Sequence, residues 1–490
     1  MAWSLFAVGG TYGWTLAPTA AAALAMAAVA RPRVPGPGDT RRLDTLLLLT
    51  LAAVAVTLVP LPSAVRGWLS PRHDALQASL VLAPASAPGL HPLALDPGSA
   101  GRAALGLAAS ALTFWGSRHL FGRRGSRRVV RGIAIVGLLA TITAVIQHAV
   151  DPARIYGVWT PLDRGARPFG PFVNRNHFAT WPIMAMPLAM GYALAEIAPE
   201  RTTRTARARL ASLLQGLGTS VTWVTVAAGV LGLGIVVSAS RSGILASLAA
   251  VSTLAVIGGP RAGRRVRAWG IAGFALLAAG IAAYASLAPL LARAEETLAV
   301  GAGDRPRIWF DAWRIASDFW VAGVGPGGFP RAMLLYQQSG RALFANQAHN
   351  QYLQILAEGG LLVTVPAVLT AAAFVRLAMA RLEADVTPLV WIRIGAAAGV
   401  TGVALQSVWE TGLRMPANSI LFAVVAAIAV HRPAVPRRSA GPVETAEDGL
   451  GEPGLLPETP ADVTGLAGRT VGTHEHDGQL TATRGLLEHG

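Results

Sequence analysis

The chain of 490 residues contains no cysteine and no lysine, and charged residues make up only 14% of it. Without cysteine there are no disulfides, no thiolate nucleophile and no cysteine-ligated metal. Soluble domains carry about 25% charged residues, so this low content argues against a soluble protein. Because every basic residue is arginine, an arginine at any one position is not evidence of a choice against lysine.

The chain is rich in apolar residues. Hydrophobic residues make up 53% of the chain, and the mean hydropathy is +0.47. Several runs reach the roughly 20 apolar residues that a helical span needs, whereas a spanning barrel would show short alternating segments. We predict an all-α polytopic integral membrane protein with about eleven transmembrane helices (ten to twelve). The predicted spans are 10–30, 44–62, 103–121, 130–150, 177–198, 219–238, 243–259, 268–291, 359–379, 388–408 and 416–431.

The positions of the arginines predict an orientation. A net charge of +15 would suggest a nucleic-acid partner in a soluble protein. Here the arginines cluster in every second connection between predicted spans, as the positive-inside rule requires. We therefore predict an outside N-terminus, a cytoplasmic C-terminus and no nucleic-acid partner. The first apolar run lacks a basic segment before it, which favours a membrane helix over a cleaved signal peptide.

The connections on the predicted outer side are the longer ones. They cover about 63–102, 151–176 and 292–358, and the last is the largest. The C-terminal segment 433–490 is rich in glycine, proline, glutamate and threonine, which predicts a disordered cytoplasmic tail. The membrane domain is accordingly expected to cover 1–432.

Two outer segments carry basic residues that topology does not explain. In 167–178 (RPFGPFVNRNHF), proline and glycine exclude a helix before the asparagines that can cap the next span. Arg175 and His177 would then serve as interfacial anchors or as contacts to an anion. Arg241, in the sequence SASRSG between two spans, has almost no loop around it. It either snorkels to the surface or binds an anion.

A helix over 304–320 (DRPRIWFDAWRIASDFW) separates two faces. One face carries alternating charges that are expected to form ion pairs in solvent, and the other is apolar with tryptophans that suit an interfacial helix. Arg305 falls on the apolar face, where solvent explains it least. The charged face consists of Arg307, Asp311, Arg314 and Asp318.

Residues 346–360 (NQAHNQYLQILAEGG) place His349 and Asn350 at the start of an apolar helix that continues into a span. A helix N-terminus disfavours a protonated imidazole, and a neutral imidazole is a competent general base. Asn350 can cap the helix or orient the histidine. Glu358 lies too far along a straight helix to pair with His349. Without further context, a simple interfacial anchor is the commoner role of such a histidine.

Five motifs in this order resemble the O-antigen ligase and O-antigen polymerase superfamily of bacterial membrane glycosyltransferases. The resemblance covers about 165–430. The chain departs from the family's pattern where Val363 stands three residues after Gly360, at a position that is often a second glycine. The motifs are FVNRNHFA (172–179), SRSGILA (240–246), RPRIW (305–309), AGVGPGGF (322–329) and HNQYLQILAEGG (349–360).

The resemblance implies a reaction at the outer face of the bacterial cytoplasmic membrane. A glycan on a polyprenyl-diphosphate carrier is transferred, with inversion and without metal or other cofactor, to a hydroxyl of a lipid, glycan or protein acceptor. By the same resemblance His349 is the general base and Arg241 and Arg305 bind the diphosphate. Such a leaving group chiefly needs positive charge, which guanidinium groups supply in bidentate geometry. Possible further substrate contacts are Arg175, His177 and Asn350.

The alternative is a membrane transporter or flippase for an anionic or lipid-linked substrate. A transporter is expected to show polar or broken spans near the bilayer midplane. The charges without a topological explanation lie instead at the predicted outer rim, which favours an enzyme. The sequence does not separate ligation to a lipid, polymerisation of repeat units and transfer to protein.

Overall fold

A computed structural model of the chain describes residues 1–80, 90–162, 166–197, 219–262, 305–338 and 344–432. Within these ranges the regular secondary structure is helical, with isolated β-bridges and no strand. The α-helices are α1 (Ala2–Phe6), α2 (Leu16–Ala30), α3 (Arg41–Val56), α4 (Ser63–Leu69), α5 (His73–Leu80), α6 (Pro97–Arg124), α7 (Arg127–Val150), α8 (Arg175–Ile197), α9 (Thr219–Val237), α10 (Arg241–Gly258), α11 (Arg305–Asp318), α12 (Phe329–Tyr336), α13 (Gln351–Ala384), α14 (Val390–Gln406) and α15 (Pro416–Val430).

The helices confirm a polytopic membrane protein. Among the described residues, 6 helices are long and apolar enough to cross a membrane, and α14 and α15 are shorter apolar helices. Each predicted span that falls in the described ranges coincides with a helix. The predicted span 268–291 and the predicted tail 433–490 lie outside the described residues. The total of about eleven spans therefore stays a prediction.

Helix α8 forms the centre of the bundle. It packs against α7, α9, α10 and α14, and most of its side chains are buried. Its contact with α14 is close because glycines line it: a β-carbon at Gly395 would lie 2.3 Å from the carbonyl oxygen of Pro187. Small residues of this kind let membrane helices approach backbone to backbone. The bundle therefore holds the first turn of α8 in a fixed place.

Three of the arginine-rich segments, around Asp39, Arg381 and Arg432, meet at one end of the bundle. Asp39 binds Arg381 at 2.7 Å and Arg432 at 3.0 Å, and so joins three connections. Burial raises the pKa of Asp39, but the hydrogen bonds and charges of these two arginines outweigh it and hold the pKa below its usual value. His349 precedes the other end of α13, at least about 30 Å away along the helix. The two groups of residues therefore lie at opposite ends of the bundle, and the orientation of the chain stays a prediction.

Helices α5, α11 and α12 and the first part of α13 form a second apolar core at the end of the bundle that holds His349. Arg66 donates to Asp74 at 2.6 Å and lowers the pKa of that carboxyl. The buried side of α11 includes Ala312 and Ile315, and Phe319 directly after the helix is also buried, as the apolar-face prediction requires. The exposed side carries aromatic residues that suit a bilayer surface, namely Phe310, Trp313 and Trp320.

The prediction that the charged face of α11 lies in solvent is wrong for its two acidic residues. Asp311 is buried and accepts the backbone N–H of Gln338 at 3.0 Å. Asp318 is bound by Arg72 and by the hydroxyl of Tyr336. Burial and this hydrogen bond raise the pKa of Tyr336 to about 12. Partners from α12 and from the segment before α5 thus cover a face that the helical pattern assigned to water.

Helix α13 is broken at Gly360, whose φ of 54° and ψ of −160° are not helical. At this point the loop 320–325 enters the helical hydrogen-bond ladder. Two N–H groups of α13 donate to carbonyl oxygens of the loop, and two N–H groups of the loop donate to carbonyl oxygens of α13, at 2.8 to 3.0 Å. These four N–H groups are therefore all paired. The bonds run from the N–H of Leu361 to Trp320, of Leu362 to Val321, of Val324 to Ala357 and of Gly325 to Glu358.

This exchange explains the glycines of the loop. Gly323 and Gly325 have positive φ, and a β-carbon at Gly323 would lie 2.3 Å from the backbone of Glu358. The GVGPGGF segment (323–329) is therefore a tight turn, although its glycines match the GxGxxG spacing of dinucleotide-binding loops. Because of the break, the first part of α13 does not have to follow the axis of the rest of the helix. The hydrogen bonds to the loop 320–325 connect α13 to the segment that follows α11.

We expect Gly360→Ala to destabilise the protein. Its conformation lies in a region essentially restricted to glycine, which costs other residues about 1–3 kcal/mol, and its β-carbon would lie 2.4 Å from the carbonyl oxygen of Val321. The thermal unfolding midpoint in detergent should fall. Gly229→Ala is the matched control, because it lies within α9 with open space around its β-carbon. Equal midpoints for the two variants would contradict the role assigned to Gly360.

The orientation can be tested because the chain has no cysteine of its own. Val158 and Val386 are 81% and 82% exposed and lie at opposite ends of the bundle. We expect Val158→Cys to react with a membrane-impermeant maleimide on intact cells, and Val386→Cys to react only after lysis. The reverse pattern would invert the predicted topology.

Candidate functional site

A buried carboxylate joins the segments that carry the predicted site residues. Glu410 lies in the connection 407–415, between α14 and α15, and its side chain is 1% exposed. Its Oε1 accepts Nη2 of Arg305 at 2.6 Å and Nδ2 of Asn176 at 2.8 Å. Its Oε2 lies 3.7 Å from Nδ1 of His349. Within the described residues neither of these last two atoms has a hydrogen-bond partner.

The 407–415 connection also fixes the backbone around His349. The carbonyl oxygen of Ser407 accepts the N–H of Gln351 at 2.8 Å, and the hydroxyl of Thr411 donates to Oε1 of Gln347. Asn350 caps α13 by accepting the N–H of Leu353 at 3.0 Å. Its predicted capping role is therefore confirmed, while a substrate contact stays a prediction.

His349 has a backbone conformation that is unusual for its residue type. Its φ of 50° lies in the left-handed region, which few residues other than glycine occupy. Its side chain is 29% exposed, so part of the ring faces the buried carboxylate and part faces outward. Strained conformations of this kind persist only where surrounding structure imposes them, and they cluster at functional sites.

Arg305 points into the protein, as its place on the apolar face predicts. It supplies positive charge to a carboxylate that has almost no contact with water, and a buried charge without such pairing is strongly unfavourable. Its side chain is 31% exposed. The guanidinium therefore spans from the buried carboxylate to the surface, where its remaining nitrogens can meet a ligand.

Arg241 lies in a separate part of the site. Ser240 caps α10 by accepting the N–H of Gly243 at 3.1 Å, so the hydroxyl of this serine has a structural role at the helix start. Arg241 is exposed and has no ion pair or hydrogen bond within the described part of the chain. Gly243 packs on Ala179, in the first turns of the same helix α8 that holds Asn176 against Glu410. The hairpin of Arg241 and the carboxylate cluster thus share one support.

The remaining predicted residues occupy the start of α8. His177 is 6% exposed, and its carbonyl oxygen accepts Nδ2 of Asn418 at 2.9 Å. The ring is buried and lies near enough to Glu410 and His349 for their charges to act on it. The backbone N–H of Arg175 donates to Arg167 at 3.0 Å. Substrate contacts by His177 and Arg175 stay predictions.

Sequence reasoning missed Glu410. A signal was present, because Glu410 is the sole acidic residue between Asp385 and Glu444 and stands in a short connection between two apolar runs. Among the described residues, no group of three or more histidine or acidic side chains is placed to hold a metal ion.

We expect Arg305 and Arg241 to differ in their effect on stability. Removing one partner of a fully buried ion pair costs about 3–5 kcal/mol, and partial exposure of Arg305 reduces this to about 1–3 kcal/mol for Arg305→Ala. Adding Glu410→Gln should recover part of the loss, because the unpaired charge disappears. Arg241→Ala is the control and should leave the thermal unfolding midpoint in detergent unchanged. Additive losses in the double variant would contradict the pairing.

A comparison with protein-family models supports the resemblance drawn from the motifs. The model described as O-antigen ligase matches residues 226–368, which is less than a third of the chain. The matched segment contains Arg241, Arg305 and His349, whereas Asn176 and Glu410 lie outside it. No curated protein matches the sequence.

Proposed function

We infer that this membrane protein, whose residues 226–368 form an O-antigen ligase domain, transfers or polymerises a glycan from a polyprenyl-diphosphate carrier. The acceptor is a hydroxyl group at the outer face of the bacterial cytoplasmic membrane. The observation that carries the proposal is the meeting of His349, Glu410 and Arg305 at the end of the bundle opposite the arginine-rich connections.

His349 acts as the general base. Nδ1 faces Glu410, so the carboxylate favours the tautomer with its proton on Nδ1 and leaves the lone pair of Nε2 for the acceptor hydroxyl. The 3.7 Å separation is longer than a hydrogen bond, and such catalytic contacts often tighten when substrate binds. In this scheme Glu410 is a positioning residue, since it acts through the imidazole.

The transfer step moves one proton and one glycosyl group. Nε2 of His349 takes the proton of the acceptor hydroxyl, and the acceptor oxygen bonds to the anomeric carbon of the donor sugar. The bond from that carbon to the diphosphate oxygen breaks on the opposite face, so the anomeric configuration inverts. The bonding electrons leave with the polyprenyl diphosphate.

Two arginines stabilise the negative charge that develops on the leaving diphosphate. Arg241 is exposed and offers its whole guanidinium, and Arg305 offers the nitrogens that Glu410 does not occupy. Preorganised charge aimed at a developing anion is commonly the largest single contribution to catalysis. No step in this scheme requires a metal ion or cofactor.

We expect His349→Ala and Arg241→Ala each to abolish surface polymer in cells that lack the natural gene. The first variant loses the base and the second loses diphosphate binding, while the protein level should be unchanged. The measurement is the amount of surface glycan per amount of membrane-inserted protein. His91→Ala is the control for the first variant, because His91 is an exposed histidine at the same end of the bundle.

Two outcomes would count against the enzyme. Normal polymer in both active-site variants would exclude the proposed roles of His349 and Arg241. Accumulation of lipid-linked glycan on the cytoplasmic side in the His349→Ala variant would indicate a flippase instead, because a transferase variant leaves its donor already translocated.

A further inference from the structure

A second buried carboxylate lies behind the proposed base. The side chain of Glu358, in the first part of α13, is 11% exposed. Its Oε1 accepts Nη1 of Arg414 at 2.9 Å and Nε2 of Gln354 at 2.8 Å. Oε1 of Gln354 in turn accepts the backbone N–H of Ala348 at 2.6 Å. Three hydrogen bonds thus lead from the 407–415 connection to the residue directly before His349.

These hydrogen bonds hold the backbone next to His349, whose own backbone conformation is energetically unfavourable. A left-handed conformation such as that of His349 costs a residue with a β-carbon about 1–2 kcal/mol. The cap by Asn350 fixes the chain after the histidine, and the bond from Ala348 to Gln354 fixes it before. Gln354 is 1% exposed, so water does not compete for its amide.

The carboxylate at position 358 determines how Gln354 is oriented. An amide side chain can present either its oxygen or its NH₂ group to a neighbour, whereas an ionised carboxylate only accepts. Glu358 therefore draws the NH₂ group of Gln354 and leaves the oxygen for Ala348. Arg414 balances the charge of this buried carboxylate, which would otherwise be strongly disfavoured.

We infer that Gln354 and Glu358 are positioning residues for His349. They hold the peptide before the histidine in the orientation that directs Nδ1 toward Glu410 and leaves Nε2 for the acceptor. This inference rests on the proposed function. Both side chains are buried within the protein, so they act on the reaction through the backbone of His349 and not through contact with substrate.

The test is an exchange of the two side chains. In Q354E two carboxylates face each other across a hydrogen-bond distance. Their repulsion, or the proton that one of them takes up to relieve it, shifts the side chain that accepts from Ala348. In the double variant Q354E/E358Q all three hydrogen bonds can form again. The new carboxylate at position 354 accepts from Ala348 and from the new amide at position 358, whose oxygen accepts from Arg414.

Rate and donor binding are measured separately. The rate is that of surface-glycan formation, per amount of membrane-inserted protein, in cells that lack the natural gene. Binding is measured on the purified variants with polyprenyl diphosphate that carries no sugar. We expect Q354E to lower the rate about 10- to 100-fold, the effect of displacing a catalytic group by about 1 Å. Its affinity for polyprenyl diphosphate should not change, because Arg241 and Arg305 remain, and Q354E/E358Q should recover most of the rate.

Gln147→Glu is the matched control, because it introduces the same carboxylate at another buried glutamine, on α7. It should lower the thermal unfolding midpoint without a selective loss of rate. The inference is wrong if Q354E keeps the full rate, if its rate and diphosphate affinity fall together, or if the double variant recovers nothing.

A parallel His349→Ala variant separates this inference from the proposed function. If His349→Ala keeps the polymer, the proposed function itself fails. If His349→Ala abolishes the polymer while Q354E does not reduce the rate, only the positioning role fails.

Discussion

The buried carboxylate of Glu410 imposes the arrangement of the site. A carboxylate that is 1% exposed is strongly unfavourable unless cations and hydrogen-bond donors surround it. Three such groups come from segments far apart in the sequence: Asn176 at the start of α8, Arg305 at the start of α11 and His349 in the segment before α13. Because all three must reach one carboxylate, their relative positions are fixed together. The positions of the proposed base and of Arg305, proposed to bind the diphosphate, thus have a single origin.

The break at Gly360 makes this convergence possible. If α13 were straight, its first turns would continue along the axis of the membrane span, and no backbone hydrogen bonds would connect them to the loop after α11. Instead, four backbone hydrogen bonds join the helix to loop 320–325. Since that loop follows α11 directly, the same bonds determine where Arg305 lies relative to His349. The backbone hydrogen bonds at the break therefore support the side-chain cluster. Glycines are required there because β-carbons would occupy the space of the opposing backbone.

Much of the fold could be predicted from the sequence because apolar length decides it. The spans follow from runs long enough to cross a bilayer, and the inward direction of Arg305 follows from the helical periodicity of α11. The prediction for Asp311 was wrong because periodicity identifies a face but not the element that covers it. In the folded chain Gln338 of the segment after α12 does so.

Glu410 and the pairing of Glu358 could not be predicted for a related reason. The statement that Glu358 cannot reach His349 along one helix is compatible with the structure, but it concerns only local geometry. The partner of Glu358 is Arg414, which lies 56 positions further along the chain, and neither composition nor spacing identifies such a pair. The short connection 407–415 supplies both Glu410 and Arg414.

The two arginines contribute differently to an anion site. Arg305 already shares its charge with Glu410, so its net attraction for a diphosphate is reduced while its orientation is fixed. Arg241 is exposed, and no partner in the described residues offsets its charge, so it attracts an anion more strongly but with less defined geometry. A lipid-linked diphosphate needs both properties, because it must be captured from the plane of the membrane and then aligned with the base. In the proposed reaction Arg241 therefore captures the diphosphate and Arg305 aligns it. The carboxylate of Glu410 weakens the charge of Arg305 but fixes its orientation.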